Sequence, residues 1–346
     1  MSTAPLSDSP SDIRRILVVR PNHRLGNNVL LTPLLVELER RFPEAEIDIL
    51  TGGGASHNLY AQFPRLKSVY AFPAWSYIRP QIVVSIIRSV RARRYDLAID
   101  STTRSRSARF LLWWVQARRR IGYSWGVGWR DRVLTDAVST TDAPVHHGRI
   151  PVHLVRKVFG DDGAPMPTLN LRLTAAERSA GQALLAQALG GSAAMESARV
   201  GKILRVGVYC TATGAKQYPD AWWAELISRL QMLEWPGTVQ LIEFLPHDGR
   251  SALAGRLPSL LSVKLRELCG ALSALDVFVT GDCGVMHLAS AAGVQVVGLF
   301  KATDASRYGP YGHGSESIEA RDEDVAAATR RVEEILRDRF LDAPAT

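Results

Sequence analysis

The sequence predicts an α/β chain built as two halves, each with a parallel β-sheet flanked by helices. Three observations predict it. Short apolar runs alternate with amphipathic segments of helical period through most of the 346 residues, the pattern of consecutive βαβ units. That pattern stops at a Gly/Ser/Ala-rich stretch, 190–202, and restarts at Ile203. Near the end, 277–300 (VFVTGDCGVMHLASAAGVQVVGLF) reads as strand, tight loop, helix and strand. Its last part, 294–300, is a continuous apolar run typical of a strand buried on both faces.

The first strand is expected over 13–20 (IRRILVVR). The loop PNHRLGNN follows, then an amphipathic helix over 29–42 with Pro33 in its first turn, where a missing N–H is tolerated. A second strand over 47–50 ends in the flexible loop TGGG. After it come a short helix at 59–63, a strand at 69–72, a helix at 80–93 and the strand YDLAID at 95–100. A helix over 104–116 and a short strand at 120–123 complete the run. Residues 122–142 carry tryptophans and arginines with little apolar period and read as a surface loop. A helix resumes over 146–160 despite Pro151, and a capped helix is expected over 174–189. The expected division is a leader at 1–12, a first domain at 13–189, a linker at 190–202 and a second domain at 203–321. A helix and tail, 322–346, close the chain. In the second domain the strand 203–209 leads to the loop CTATGAKQYP, a helix at 221–233, a strand at 239–245 and a helix at 265–272. Sheets of this kind bind ligands at the carboxyl ends of their strands. The cleft between two Rossmann-like halves is therefore the expected site.

Bulk composition narrows the function. The polar start MSTAPLSDSPSD lacks an apolar core, so no secretory signal is expected. No apolar run approaches the ~20 residues of a membrane span. Cys210, Cys269 and Cys283 are few and scattered, which fits neither a disulfide framework nor a zinc site and suits a reducing cytoplasm. The formal charge is +8, and 81–132 holds 12 arginines against 3 aspartates. Such a patch favours polyanions: nucleic acid, an anionic bilayer surface or a phosphorylated acceptor.

Two loops carry the chemistry. The first supplies Asn22, His23, Arg24, Gly26 and Asn27. The second supplies Thr211, Thr213, Gly214 and Lys216. A lysine in such a loop can hold a diphosphate as a point charge. At the strand end near 281 stand Asp282, Cys283, Gly284 and His287, where a helix N-terminus offers N–H groups to a phosphate. A plainer reading makes Asp282 the N-cap of that helix and His287 an interior histidine. Neither a Walker A loop nor a dinucleotide glycine motif is present.

Four segments, in order, resemble the bacterial heptosyltransferase family of lipopolysaccharide synthesis, glycosyltransferase family 9. They are RLGNNVLLTPLLVELERRFPEAEIDIL, YDLAID with its basic helix and RRRIGY, TATGAKQYPDAWWAEL, and TGDCGVMHLASAAGVQVVGLF. The last is similar to the family's D-T-G-x-x-H motif. The resemblance covers the chain from about Ile16 to the terminal helix. It implies a GT-B fold, with two Rossmann-like domains whose parallel sheets face across a cleft. It implies inverting, metal-independent transfer of a heptose or related sugar from a nucleoside diphosphate donor, with no cofactor besides that co-substrate. The family's phosphate lysine falls on Lys216, its donor Asp and Gly on Asp282 and Gly284, and its His on His287. Cys283 replaces the usual Thr. The family's proposed base, an Asp after the loop glycine, is Asn27 here. An amide does not take a hydroxyl proton at neutral pH, so either another residue is the base, His23 in the same loop being the nearest candidate, or the reaction proceeds with Asn27 only orienting the acceptor. Arg24, Arg104 and Arg106, with Arg109 beside them, are expected to meet an anionic glycan or glycolipid acceptor presented at the inner membrane face.

Three rival readings stay open. A non-catalytic sugar-nucleotide or glycan-binding relative is kept alive by Asn27. A sugar-nucleotide epimerase would consume donor without acceptor. A basic nucleic-acid-binding protein fits the charge but shows no recognised motif.

Overall fold

The computed structural model describes residues 12–53, 56–73, 80–126, 128–190, 202–321 and 324–342. In the first half, β1 (Arg15–Arg20), β2 (Glu46–Gly52), β3 (Leu66–Phe72), β4 (Tyr95–Asp100), β5 (Ala117–Ser124) and β6 (Asp136–Ser139) form one sheet. The second sheet joins β7 (Ile203–Tyr209), β8 (Thr238–Phe244), β9 (Ser259–Leu260), β10 (Val277–Gly281), β11 (Gln295–Phe300) and β12 (Glu316–Glu319). Every pairing is parallel. The orders are β3-β2-β1-β4-β5-β6 and β12-β11-β10-β7-β8-β9. Counted from its own first strand, the second sheet repeats the order of the first. This is the doubly wound arrangement, in which the order reverses between first and fourth strands and leaves a crevice there.

Sequence explains the centre of each sheet. Ile16, Leu17, Val18 and Val19 are fully buried, as helices on both faces of a parallel sheet require. β10 is buried along its whole length. Pro33 and Pro151 both fall in the first turn of their helices, Thr32–Arg41 and Ile150–Phe159. The helix Ala175–Ala188 opens with a reciprocal cap: Glu177 N donates to Thr174 Oγ1, and Thr174 N donates to the Glu177 carboxylate.

The structure departs from expectation in three places. The helix expected over 29–42 is two, Leu25–Val29 and Thr32–Arg41, because the glycine loop winds into helix before the proline. The segment 122–142 is not a plain surface loop: β5 runs to Ser124, and the helix Gly128–Arg132 and strand β6 follow. β6 and β12 are edge strands that alternate half-buried with exposed residues, so they show no apolar run.

The third departure concerns the division of the chain. Its two compact units are Met1–Pro167 and Thr168–Thr346. Residues 168–189, expected in the first domain, pack with the second unit. Leu171 N donates to Ala291 O at 3.0 Å, and Arg266 ion-pairs with Glu177. Gly181 presses so closely on the helix Leu265–Leu272 that a Cβ there would fall 1.9 Å from the Gly270 carbonyl carbon. The expected linker falls mostly on 191–201, outside the described residues.

Candidate active site

In the second unit, Gln217 shapes the loop after β7. Its Oε1 accepts from Ala212 N at 2.5 Å, and its Nε2 donates to Cys210 O at 3.0 Å and Tyr218 O at 2.8 Å. Gly214, at φ +60°, enters the left-handed region that glycine tolerates and opens the short turn Gly214–Lys216. That turn carries Lys216 to the end of β10. Lys216 Nζ lies 2.6 Å from Asp282 Oδ2. The Thr303 hydroxyl, just beyond β11, donates to the same oxygen. The Asp282 side chain is only 6% exposed and that of Lys216 28%, so the pair is sealed on the acid side and open on the amine side. The Tyr308 ring centroid sits 6.0 Å from Lys216 Nζ.

Cys283, not Asp282, holds the N-cap position of the helix Gly284–Ala292. Burial pushes the Cys283 thiol up, against hydrogen bonds from Thr280 and the backbone of Met286 and Val285. Gly284 is the first helical residue, and His287 lies buried one turn along. Beside this strand end, between the loops after β7 and β8, is an open pocket of about 580 Å³. Thr211, Tyr218, Pro219, Pro246, Asp248 and Arg250 line it.

In the first unit, the loop after β1 is fixed chiefly from beneath. Arg20 Nε donates to Asn27 O at 2.9 Å, and its Nη1 donates to Ser101 O at 3.0 Å beyond β4. Thr51 Oγ1 donates to Asn28 Oδ1 at 2.9 Å, and Tyr60 Oη to Asn28 O at 2.7 Å. The Asn27 side chain is half-buried and hydrogen-bonds no described residue. His23 is exposed, and its ring lies against Gly52 at the end of β2; a Cβ at Gly52 would come 2.8 Å from that ring. Arg24 is exposed, with its N–H on Asn22 Oδ1 at 2.8 Å.

The model of glycosyltransferase family 9 (heptosyltransferase) matches residues 83–335. The chain belongs to this family. A family 9 glycosyltransferase from Veillonella parvula superposes with a TM-score of 0.75 at 16% identity, over 97% of this chain and 99% of that one. ADP-heptose LPS heptosyltransferase II of E. coli gives 0.66 at 19% identity, over 94% and 98%. E. coli heptosyltransferase WaaC, solved with ADP, gives 0.70 at 16% identity, over 94% and 99%. These likenesses establish the GT-B fold. No curated protein matches the chain.

Within this family 9 glycosyltransferase, the structure brings Lys216, Asp282, Cys283 and Gly284 to one strand end. Thr213 stands exposed at the head of the turn and caps nothing, while His287 faces inward. Arg104 and Arg106 are exposed. Arg109 is not available to an acceptor. It is fully buried, pairs with Asp100 at 3.2 Å and donates to Tyr123 O and Arg130 O, both at 2.8 Å. Burial pushes the Asp100 carboxyl up, partly offset by Thr102 and Arg109. Glu243, on β8, accepts from Ser251 Oγ at 2.5 Å and Ala252 N at 2.9 Å, and His247 is exposed. Sequence reasoning missed Thr303, Gln217 and Arg20. Thr303 follows the parallel strand next to β10, a position where strand ends converge. Among the described residues no group of three or more His, Cys, Asp or Glu side chains could hold a metal ion. Among them, too, no helix is long and apolar enough to cross a membrane.

Proposed function

We propose that this chain transfers a heptose or related sugar, with inversion and without a metal, from a nucleoside diphosphate donor. The donor is ADP-heptose, and the acceptor is a lipopolysaccharide core or another anionic glycan or glycolipid. The observation that carries the proposal is the Lys216–Asp282 pair at the switch point of the second sheet. Asp282 holds the amine in place, and the exposed side of Lys216 neutralises the departing diphosphate. N–H groups at Gly284 add to this, as helix N-termini do for phosphates. The neighbouring pocket receives the nucleoside. Thr213, Cys283 and His287 complete the donor side, His287 by supporting the helix from within.

On the acceptor side, Asn27 orients the nucleophilic hydroxyl and His23 takes its proton. Arg24, Arg104 and Arg106 bind the acceptor's anionic groups. The reaction takes place in the cytoplasm, and no nucleic acid takes part. Inversion follows from attack opposite the leaving diphosphate.

The test follows nucleoside diphosphate release from ADP-heptose, and in parallel from UDP- and GDP-sugars, with and without a core acceptor. Acceptor-dependent release from ADP-heptose alone is expected. Release without acceptor would point to an epimerase-like or hydrolytic enzyme. A second reading, a binding relative with weak or no catalysis, is favoured by the amide at Asn27. Tight nucleotide binding with no turnover, lost in Lys216→Ala, would select it.

A further inference from the structure

The helix Arg106–Trp114 buries Ala108, Arg109, Leu111 and Leu112. Its other face exposes large aromatic side chains. Phe110 is 48% exposed, Trp113 56% and Trp114 40%. The three rings pack on one another, with centroids 5.5 to 6.2 Å apart. Arg106 lies one turn before Phe110 on the same stripe and is exposed.

The helix Pro80–Ala92 packs on the same side of the first sheet. Val83, Ile86, Ile87 and Val90 join Leu111, Leu112 and Val115 in one apolar cluster. Arg91 Nη1 donates to Trp114 O at 3.1 Å, which joins the ends of the two helices. The outward face of Pro80–Ala92 carries Val84, 45% exposed, and the exposed Arg88 and Arg91. Arg94 and Arg118, just beyond the helices, are exposed as well. Neither 80–94 nor 101–120 contains an aspartate or glutamate. Asp96, between them, is engaged by Arg14 N and Arg15 N at 2.9 Å and by Arg118 at 3.8 Å.

The geometry points to a docking surface for an anionic lipid bilayer. A clustered aromatic knob with an exposed valine suits the boundary between head groups and acyl chains, where tryptophan rings favour residence. The acid-free ring of arginines supplies the attraction to anionic head groups. A second copy of this face would set arginines against arginines. A single-stranded nucleic acid would use rings splayed as separate stacking platforms; here the rings cover one another at 46° to 76°. Apart from Arg106, which the proposed function assigns to the acceptor, the surface uses no residue of the transfer chemistry, and its test needs neither donor nor acceptor. Its failure leaves that reading untouched.

The full chain is sedimented with vesicles of equimolar phosphatidylcholine and phosphatidylglycerol, and with pure phosphatidylcholine. Binding to the first alone is expected, weakened by salt, with brominated acyl chains quenching tryptophan emission. Phe110→Ser with Trp113→Ser and Trp114→Ser is expected to lower partitioning by roughly tenfold or more. These side chains are already exposed, so the thermal midpoint is expected to hold. Arg88→Glu with Arg94→Glu, which leaves the rings in place, is expected to lower it by a comparable factor. The proposal is overturned if the anionic vesicles fail to bind the wild type. It is equally overturned if the serine variant, folded normally, binds as well as wild type. Preferential capture of a single-stranded oligonucleotide, or a dimer abolished by the serine variant, would overturn it too.

Discussion

The two halves share one strand order and use charge in opposite ways. In the first, charged groups on strands and helices alike turn inward. Arg109 is buried against Asp100, Arg20 donates to two loop carbonyls, and Glu37 sits under Arg156, Arg40 and Arg41. In the second, Lys216 and Asp282 meet at the equivalent switch point with the amine open to water. The same topology therefore carries inward-turned charge in one half and a lysine–carboxylate pair open on its amine side in the other. The difference lies in the loops, which the fold leaves free to vary.

That contrast breaks most sharply at Arg109. Arg109→Leu leaves Asp100 buried without its cation and is expected to cost about 3–5 kcal/mol of stability in urea denaturation. Lys216→Ala should do the reverse. Donor turnover is expected to fall about 10²–10³-fold with little change in the thermal midpoint, because Thr303 still donates to Asp282. If Lys216→Ala unfolded the protein and Arg109→Leu did not, the contrast would be backwards.

Acid sharpens it further. Burial works against the Glu37 carboxylate, but hydrogen bonds from Arg156, Arg40 and Arg41 win and hold it at about 2, below its ordinary 4.5. Its contribution, about 3 kcal/mol, is complete above pH 4.5 and is lost as pH falls toward 2. Glu37→Gln is expected to flatten stability over that window. Glu177→Gln should do so less, because Glu177, also held at about 2 by Arg266, is partly exposed to screening water.

The smallest effects concern the first loop. Asn27→Asp is expected to raise transfer severalfold by placing a carboxylate at the acceptor. Gly52→Ala should push the His23 ring aside at little cost in stability, since the ring is exposed and free to swing. Transfer is expected to slow severalfold with an unchanged melting temperature. A normal rate in this variant would remove His23 from the chemistry.

The central strands were legible because a strand covered on both faces must be apolar throughout, as β1 and β10 are. The meeting of Lys216 and Asp282 was legible because the loops after two adjacent parallel strands emerge at the same edge of the sheet. The edge strands β6 and β12 were not, since half-exposed strands carry no apolar run. Charge in a sequence has no direction, so Arg109 read like Arg104 and Arg106 until packing turned it inward. Thr303 was hidden because its partner is 21 residues earlier in the chain. The allegiance of 168–189 was hidden because Gly181 looks like any glycine in a helix.

That last contact bears on how the protein is divided in the laboratory. Gly181 and Gly270 let two helices touch backbone to backbone, so neither surface is finished without the other. A fragment begun at Ile203 would leave the Leu265–Leu272 helix with a bare groove, Arg266 without Glu177, and Ala291 O without Leu171 N. A fragment begun at Thr168 carries its own clasp. For expressing the second unit alone, the useful cut lies before the last helix of the apparent first domain rather than after it.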